Sequence, residues 1–377
     1  MNEEKKLPVH SHDTSRSLSL WREAKIAPKS VISVLIPPVA HNTISSISGG
    51  FLKKLKFIAV TMLTAFIGLS HAEENFLPSN LLMLDEKFSH HVILVEKSTH
   101  KLHLYENAST MPKLIKTFST ATGKFKGDKY LSGDHKTPEG IYTIYEFLSK
   151  QELLRRHGKY AEIYGSGAFP MDYPNFIDKR EGKTGGGIWL HSTDDDKRVS
   201  KGLDSRGCVV LQNQDLKDIS EYIELNHTPI IVVQDIFYLS KPTWERNRKD
   251  LSDAVQTWAQ AWQNKDFDKY INSYDVERFH DKKHGGHARY KAYKKAVFSR
   301  PDTPDIKLDF ISMFATNEYA VVHLQQDYRS PVINDIGKKT LYLKKDKNYD
   351  WKIVGEVWAP VEKDAAAFTP SKRYFKE

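Results

Sequence analysis

Two short stretches, Ile188-Trp189-Leu190-His191-Ser192 and Ser205-Arg206-Gly207-Cys208-Val209-Val210-Leu211, carry the most informative pattern in this sequence. The first is typical of a short apolar β-strand that ends on a histidine, and it follows three consecutive glycines. The second contains the one cysteine of the chain, directly after a glycine. A polar loop rich in Asp and Lys separates them, so only folding can bring His191 and Cys208 together.

The residue types in these stretches match the needs of thiol chemistry. A nucleophilic thiol requires a base within hydrogen-bond reach, a group that orients the base, and donors for an oxyanion. Cys208 is the candidate nucleophile, and His191 is the candidate base that brings the thiol toward thiolate at neutral pH. Gly207 allows a turn that points neighbouring N–H groups at an oxyanion. The alternative is an inert, buried Cys208, but an adjacent Arg and Gly are not typical of a packing site.

Strand signals surround this pattern. Residues 91–105 form two alternating runs around Glu-Lys-Ser-Thr and predict a β-hairpin. Residues 114–121 and 141–145 predict further strands, residues 215–225 an amphipathic helix, and residues 228–234 a closing buried strand. We therefore expect a β-rich domain over residues 73–240.

The pattern changes after Ser240-Lys241-Pro242. Residues 244–264 repeat apolar side chains every three or four positions and predict a helix with an aromatic face. Shorter helices are predicted at 267–274 and 288–299. Four strand-like segments follow, at residues 306–314, 319–328, 338–344 and 351–358. Helices followed by a run of strands indicate an α+β domain, which we place at residues 241–362, with a tail at 363–377.

The N-terminal pattern resembles the L,D-transpeptidase catalytic domain family (YkuD-like) of bacterial cell-wall enzymes over about residues 90–235. The family motif is a His, a loop of variable length, then Ser/Thr-His-Gly-Cys and an apolar residue. Thr122-Gly123-Lys124 and the Gly133 to Gly140 stretch, which contains Thr-Pro-Glu-Gly, also match.

The resemblance implies a role for each residue of the two stretches. Cys208 is the acylated nucleophile, His191 the base, and Ser192 the orienting group through its side chain or its carbonyl. The residues implied in oxyanion stabilisation or substrate binding are Gly207, Arg206, Ser205 and Trp189. Two departures stand out, since Arg206 replaces the usual His and Val210 replaces a usual polar residue. Arg206 is instead suited to pair with a substrate carboxylate.

The C-terminal region has Trp258, Trp262, Asp266, Tyr270 and Tyr274 on its opening helices, then residues 325–330 and a final stretch at 351–356. In this pattern it is similar to the cone-like NTF2-like fold. The overall class is thus α+β, with a β-rich catalytic domain followed by an NTF2-like domain. This combination resembles a subgroup of periplasmic enzymes that trim peptidoglycan stem peptides and influence cell shape, commonly as L,D-carboxypeptidases.

For this chain the resemblance implies a cofactor-free attack by Cys208 on the bond before the terminal D-Ala of a tetrapeptide stem. The acyl-enzyme then passes to water, as in L,D-carboxypeptidase trimming, or to an amine of a second stem or a protein, as in L,D-transpeptidation. The rival hypothesis is a catalytically inactive cell-wall binding or scaffold protein that uses the NTF2-like domain. The oligomeric state, with a homodimer as one option, stays open.

The front of the chain predicts export. Three lysines precede thirteen mostly apolar residues, and the stretch 52–72 has the anatomy of a secretory signal peptide, which favours a periplasmic location over an uncleaved anchor. Residues 1–51 are interpreted as a spurious or disordered extension. Residues 1–56 carry a net charge of +5 out of the total of +8, which disfavours a nucleic-acid-binding surface on the rest of the chain.

Three other features favour structural interpretations. His280, His284 and His287 have metal-like spacing, but Gly285-Gly286 interrupts any shared helix face, so no metal site is predicted. Trp258 and Trp262 are interpreted as core rather than as a ligand pocket. Asp194-Asp195-Asp196 is interpreted as a charged, mobile loop over the active site rather than a cation site.

Overall fold

The computed structural model describes residues 76–361 and 368–375. The predicted signal peptide at 52–72, the extension at 1–51 and part of the predicted tail lie outside the described residues. The strands before residue 241 are β1 (Phe76–Pro78), β2 (Leu81–Met83), β3 (His91–Glu96), β4 (Lys101–Ala108), β5 (Met111–Ser119), β6 (Thr122–Gly123), β7 (Gly140–Thr143), β8 (Leu148–Ser149), β9 (Gly167–Pro170), β10 (Trp189–His191), β11 (Leu203–Ser205), β12 (Val209–Val210), β13 (Pro229–Val233) and β14 (Tyr238–Ser240). The helices of this part are α1 (Lys150–His157), α2 (Phe176–Arg180) and α3 (Asn213–Ser220).

The C-terminal part begins with a long helix and ends in a meander. Its helices are α4 (Lys241–Gln263), α5 (Phe267–Asn272) and α6 (His287–Phe298). Its strands are β15 (His280–Asp281), β16 (Gly285–Gly286), β17 (Asp305–Ala315), β18 (Ala320–Arg329), β19 (Asn334–Lys345) and β20 (Trp351–Pro360). Helix α4 has a proline in its first turn, where the missing N–H costs no intrahelical hydrogen bond.

A five-stranded mixed sheet, in the order β5-β4-β3-β13-β7, forms the centre of the N-terminal part. Strands β3 and β13 run parallel and are apolar at successive positions, which is the pattern of strands buried on both faces. Ile93 and Ile230 belong to the core that lies next to the candidate site. Their neighbours Leu94 and Ile231 point to the opposite face and pack in a second cluster.

That second cluster joins the two parts of the described chain. The C-terminal sheet has the order β2-β17-β18-β19-β20, and one of its faces packs on the N-terminal sheet. Val321 and Tyr342 on this face belong to the same cluster as Leu94 and Ile231. On the other face of this sheet, Val322 and other apolar side chains pack against the aromatic side of α4. The fold is thus a stack of two sheets with helices covering the C-terminal one.

Most predicted elements form. The hairpin predicted at 91–105 is β3 and β4, and the predicted C-terminal order of helices followed by strands is confirmed. Strand β2 was not predicted. It lies before the catalytic motifs, yet it pairs with β17 in the C-terminal sheet. In the part of the chain that the structure describes, no helix is both long and apolar enough to cross a membrane.

Candidate active site

The predicted base lies in β10, and the predicted nucleophile, Cys208, directly precedes the neighbouring strand β12. Strand β10 pairs in parallel with β12, so that Leu190 lies opposite Val209 and His191 opposite Val210. Leu190 and Val209 are buried in the N-terminal core. Because side chains alternate along a strand, His191 and Cys208 both lie on the other face, at diagonal positions that long side chains can bridge. Folding therefore brings the two predicted residues to one face.

The imidazole of His191 is held in a defined orientation. Its Nδ1 lies 2.5 Å from the carbonyl oxygen of Ser192, which accepts the Nδ1 proton and leaves Nε2 as the basic nitrogen. The ring of Tyr164 meets the imidazole edge to face at 4.9 Å. Burial lowers the pKa of His191 to about 4, while the Ser192 carbonyl opposes that shift, so the ring is neutral at pH 7.

The surroundings of the Cys208 thiol favour its neutral form. Its Sγ lies 3.6 Å from the carbonyl oxygen of Gly187, and burial raises its pKa to about 11. The Trp189 backbone N–H and the charge of Lys129 act in the opposite direction but do not outweigh burial. Burial thus favours the neutral thiol in the substrate-free site, whereas the sequence analysis expected His191 to bring it toward thiolate. Both partners are neutral there because each is desolvated.

The turn before Cys208 is set by Ser205 and Gly207. The hydroxyl of Ser205 accepts a hydrogen bond from the Gly207 N–H at 3.0 Å and donates to the Cys208 carbonyl at 2.6 Å. Gly207 has a φ of +124°, and a Cβ there would lie 2.7 Å from the carbonyl oxygen of Lys136. Since the Gly207 N–H is engaged by Ser205, these two residues shape the turn, and that N–H is not a free oxyanion donor.

Ser192 orients the base through its carbonyl and supports a different loop through its side chain. Its Oγ donates to the Tyr164 carbonyl at 3.1 Å and accepts from the Ser166 N–H at 2.7 Å. The sequence left side chain and carbonyl open as alternatives, and the geometry shows the carbonyl in contact with His191.

A 3-10 helical segment, Gly158–Tyr164, forms an aromatic wall that the sequence did not predict. Tyr164 contacts the ring of Trp189 at 4.8 Å, and its pKa is raised to about 12 by burial, with contributions from Cys208 and, in the other direction, Arg206. The exposed guanidinium of Arg206 lies 5.7 Å from the ring centre of Tyr160. The paired tyrosines of the segment Lys-Tyr-Ala-Glu-Ile-Tyr were the only signal for this wall.

Comparisons with known proteins agree with this geometry. A model of the L,D-transpeptidase catalytic domain (YkuD) matches residues 90–232, and a model of the Cds6 C-terminal NTF2-like domain matches residues 250–357. The solved structure of Bd1075 from Bdellovibrio bacteriovorus is 36% identical, with 77% of this chain and 100% of that chain covered and a TM-score of 0.67. The chain belongs to the L,D-transpeptidase family.

A second similar structure is the helical cell shape determining protein Pgp2 from Campylobacter jejuni. It is 26% identical, the match covers 74% of this chain and 95% of that chain, and the TM-score is 0.59. No curated protein matches the chain. The α+β order of an L,D-transpeptidase domain followed by an NTF2-like domain is thereby confirmed.

A loop of this L,D-transpeptidase domain, residues 129–136, is bonded to the backbone that leads to the Cys208 contact. The Thr184 N–H donates to the Tyr130 carbonyl at 2.9 Å, and the Ser132 N–H donates to the Thr184 hydroxyl at 3.0 Å. These bonds fasten the loop to the Gly185–Gly187 segment that contacts Cys208. The Gly133 to Gly140 stretch singled out in the sequence overlaps the end of this loop, and it did not include the buried Lys129.

The acidic loop Asp194-Asp195-Asp196 is tied to the protein. Arg198 pairs with Asp194 at 2.9 Å, and Asp195 caps the following 3-10 helix. The Oδ1 of Asp196 accepts from the Asn213 backbone N–H at 2.9 Å. These contacts give each carboxylate a structural partner and fix the loop that connects β10 to β11.

The three histidines of the NTF2-like domain do not converge. His284 pairs with Asp281 at 2.7 Å and stacks on Tyr293, while His280 is in β15 and His287 begins α6. Among the described residues, no group of three His, Cys, Asp or Glu side chains has a metal-binding arrangement.

The aromatic side of α4 is core, as predicted, but it borders a buried polar cluster. Trp258 donates to the Tyr274 hydroxyl at 2.9 Å, and Tyr290 donates to Glu356 Oε1 at 2.7 Å. Lys339 pairs with Glu356 at 3.3 Å. Burial opposes ionisation of Glu356, yet Lys339 and a second lysine outweigh it and lower its pKa to about 2, so the carboxylate is charged.

Proposed function

We propose that this chain is a periplasmic cysteine enzyme that cleaves the bond before the terminal D-Ala of peptidoglycan stem peptides. The observation that carries the proposal is the shared face of β10 and β12, on which an oriented histidine accompanies the one cysteine of the chain. Membership in the L,D-transpeptidase family supports the substrate class. The similarity to a cell shape determining protein supports a role in shaping the cell wall.

A residue of the site is available for the proton transfer in each chemical step. As Cys208 Sγ bonds to the substrate carbonyl carbon, its proton passes to Nε2 of His191, which is free because Nδ1 is held by Ser192. The tetrahedral intermediate collapses, the imidazolium returns the proton to the departing amine, and D-alanine leaves a thioester on Cys208. Water or an amine then attacks the thioester, with His191 again as the base.

The neutral resting pair suits this order of events. A thiol with a pKa near 11 and an imidazole with a pKa near 4 do not exchange a proton before substrate arrives. Proton transfer therefore accompanies attack, in the manner of a general base rather than a preformed thiolate. This arrangement limits reaction with other electrophiles in an exported protein.

Arg206 is the proposed contact for a substrate carboxylate. Its guanidinium is exposed beside Tyr160 and close to the ring of Tyr164, which also faces Cys208. A planar guanidinium binds carboxylates through two parallel hydrogen bonds. This places recognition of the free stem terminus two residues from the nucleophile.

The test is mass spectrometry of a disaccharide-tetrapeptide incubated with the purified protein, with and without an added amine acceptor. Cys208→Ala is the inactive control, and Arg206→Lys keeps the charge while removing the planar fork. Loss of one alanine that requires Cys208 supports a carboxypeptidase, and acceptor-dependent adducts support a transpeptidase. Unchanged substrate in every mixture, with Cys208 inert to alkylation, supports the cell-wall binding or scaffold alternative.

A further inference from the structure

Lys129 is a buried cation in the loop 129–136. Its side chain is 3% exposed, and its Nζ donates to Asp134 Oδ1 at 2.7 Å and to the Leu131 carbonyl at 2.9 Å. Burial opposes the charge on Asp134, but Lys129 and three backbone N–H groups outweigh it and lower the pKa of that carboxyl to about 2. The pair is therefore charged at neutral pH, although a buried charge is costly without such partners.

The position of Lys129 links this pair to the nucleophile. A Cβ on Gly185 would lie 3.4 Å from Lys129 Cε, so the lysine stem packs against the glycine segment. Two residues later, the Gly187 carbonyl oxygen lies 3.6 Å from Cys208 Sγ. Lys129 is also the charged group that acts on Cys208 in favour of its ionised form.

A cation near Cys208 stabilises the negative charges that form during the proposed reaction. Sulfur and then the substrate oxygen carry negative charge during the reaction, and a charge fixed in a buried position interacts with them more strongly than a charge in water does. The other titratable groups of the site are the neutral His191, the phenol of Tyr164, which interacts with Cys208, and the guanidinium of Arg206, which interacts with Tyr164. Arg206 is exposed and screened by solvent, whereas Lys129 is buried and fixed.

We propose that Lys129, fixed by Asp134, is a positioning residue of the reaction that acts through Cys208 by offsetting the negative charge that develops on its sulfur and on the adjacent oxyanion. The inference rests on the proposed role of Cys208 as the nucleophile. It gives the Lys129–Asp134 pair an electrostatic function beyond fastening its loop.

The experiment is alkylation of Cys208 by iodoacetamide in the whole protein, with the rate measured from pH 7 to pH 11. Lys129→Met removes the charge and keeps most of the stem. We expect the thiol titration to move upward by about one pKa unit, which lowers the alkylation rate at pH 8 about tenfold. Lys129→Arg keeps the charge and should restore most of the rate. A Lys129→Met profile that overlays the parent profile overturns the inference.

Lys97→Met is the matched control. Lys97 is a second buried lysine, and it bonds to residues on either side of this loop, namely Gly127, Thr137 and Glu139, at distances of 2.6 to 2.9 Å. A structural effect of a lost buried lysine would appear in this variant too, but we expect its thiol titration to stay with the parent. Equal upward shifts in Lys97→Met and Lys129→Met would contradict the electrostatic role.

Asp134→Asn gives a prediction of opposite sign and decides the matter if Lys129→Met does not fold. It removes the negative charge beside the ammonium, so the alkylation rate at pH 8 should rise severalfold. An unchanged or lower rate overturns the inference. The outcome is separate from the proposed function, because the predicted shifts in a protein that releases no D-alanine would refute the proposed function alone.

Discussion

Gly207→Ala should destabilise the chain strongly and inactivate it. A φ of +124° lies where side chains with a Cβ are strained, which costs about 1–3 kcal/mol. The added Cβ would also lie 2.7 Å from a backbone carbonyl oxygen, that of Lys136, which cannot rotate away as a side chain does. Overpacking of this kind costs about 1–3 kcal/mol. Together they predict a loss of about 2–6 kcal/mol in the free energy of unfolding.

Two other glycines separate the strain from the clash. Gly158 has a φ of +64° with nothing near its Cβ position, and Gly186 has neither a positive φ nor a contact closer than 4.0 Å. Urea unfolding should therefore rank the losses as Gly207→Ala above Gly158→Ala, at about 1–2 kcal/mol, and Gly186→Ala near zero. The reasoning is refuted if Gly207→Ala is as stable as Gly186→Ala, or if it keeps the alkylation rate of the parent at Cys208.

Three further predictions concern charge and hydrogen bonding. At pH 8, iodoacetamide should modify substrate-free Cys208 more slowly than free cysteine, because burial raises its pKa to about 11; a faster rate would contradict the neutral pair. Glu356→Gln should lower the free energy of unfolding by about 3–5 kcal/mol at pH 7 by leaving the cluster's lysines without their anion. Because the folded pKa of Glu356 is lowered to about 2, the stability that its charge contributes is present above the unfolded pKa and disappears as pH falls toward 2. The difference in free energy of unfolding between the parent and Glu356→Gln should therefore be smaller at pH 3 than at pH 7, as measured by urea unfolding. Tyr319→Phe removes the hydroxyl that accepts hydrogen bonds from the Ile141 N–H at 2.9 Å and from Asn175 at 3.2 Å. It should lower the free energy of unfolding in urea by about 1–3 kcal/mol, and equal stability of the two proteins would contradict this.

The elements that the sequence predicted are those whose pattern is local. A β-branched run followed by an alternating one in 91–105, and a period of three to four residues in 244–264, are local patterns, and both became the expected structures. Strand β2 has only three residues and exists because β17 offers an edge far away in sequence. No local pattern of that length distinguishes a strand from a loop.

Some features of the site could also be predicted from local sequence, whereas others could not. His191 and Cys208 were recognisable because a motif surrounds them, and strand pairing then put them on one face. Their protonation was not recognisable, because desolvation depends on what the whole fold packs around them. Lys129 was missed for a related reason, since a lysine in a polar loop is usually exposed, and only the folded loop shows that this one is buried.

The division of the chain into two family domains is not a division of its core. Leu94 and Ile231, on one face of the catalytic sheet, pack against Val321 and Tyr342 of the NTF2-like sheet. Phe176 of α2 adds a stacked contact with Tyr342, at 4.8 Å between ring centres. Removing the C-terminal sheet would expose the apolar face of the two strands that are buried on both sides, and each large side chain so exposed costs about 1.5–3 kcal/mol. The other face of those strands supports the core beneath Leu190 and Val209, and hence the spacing of His191 and Cys208. The strands next to His191 and Cys208 are therefore stabilised in part by the packing of the NTF2-like domain.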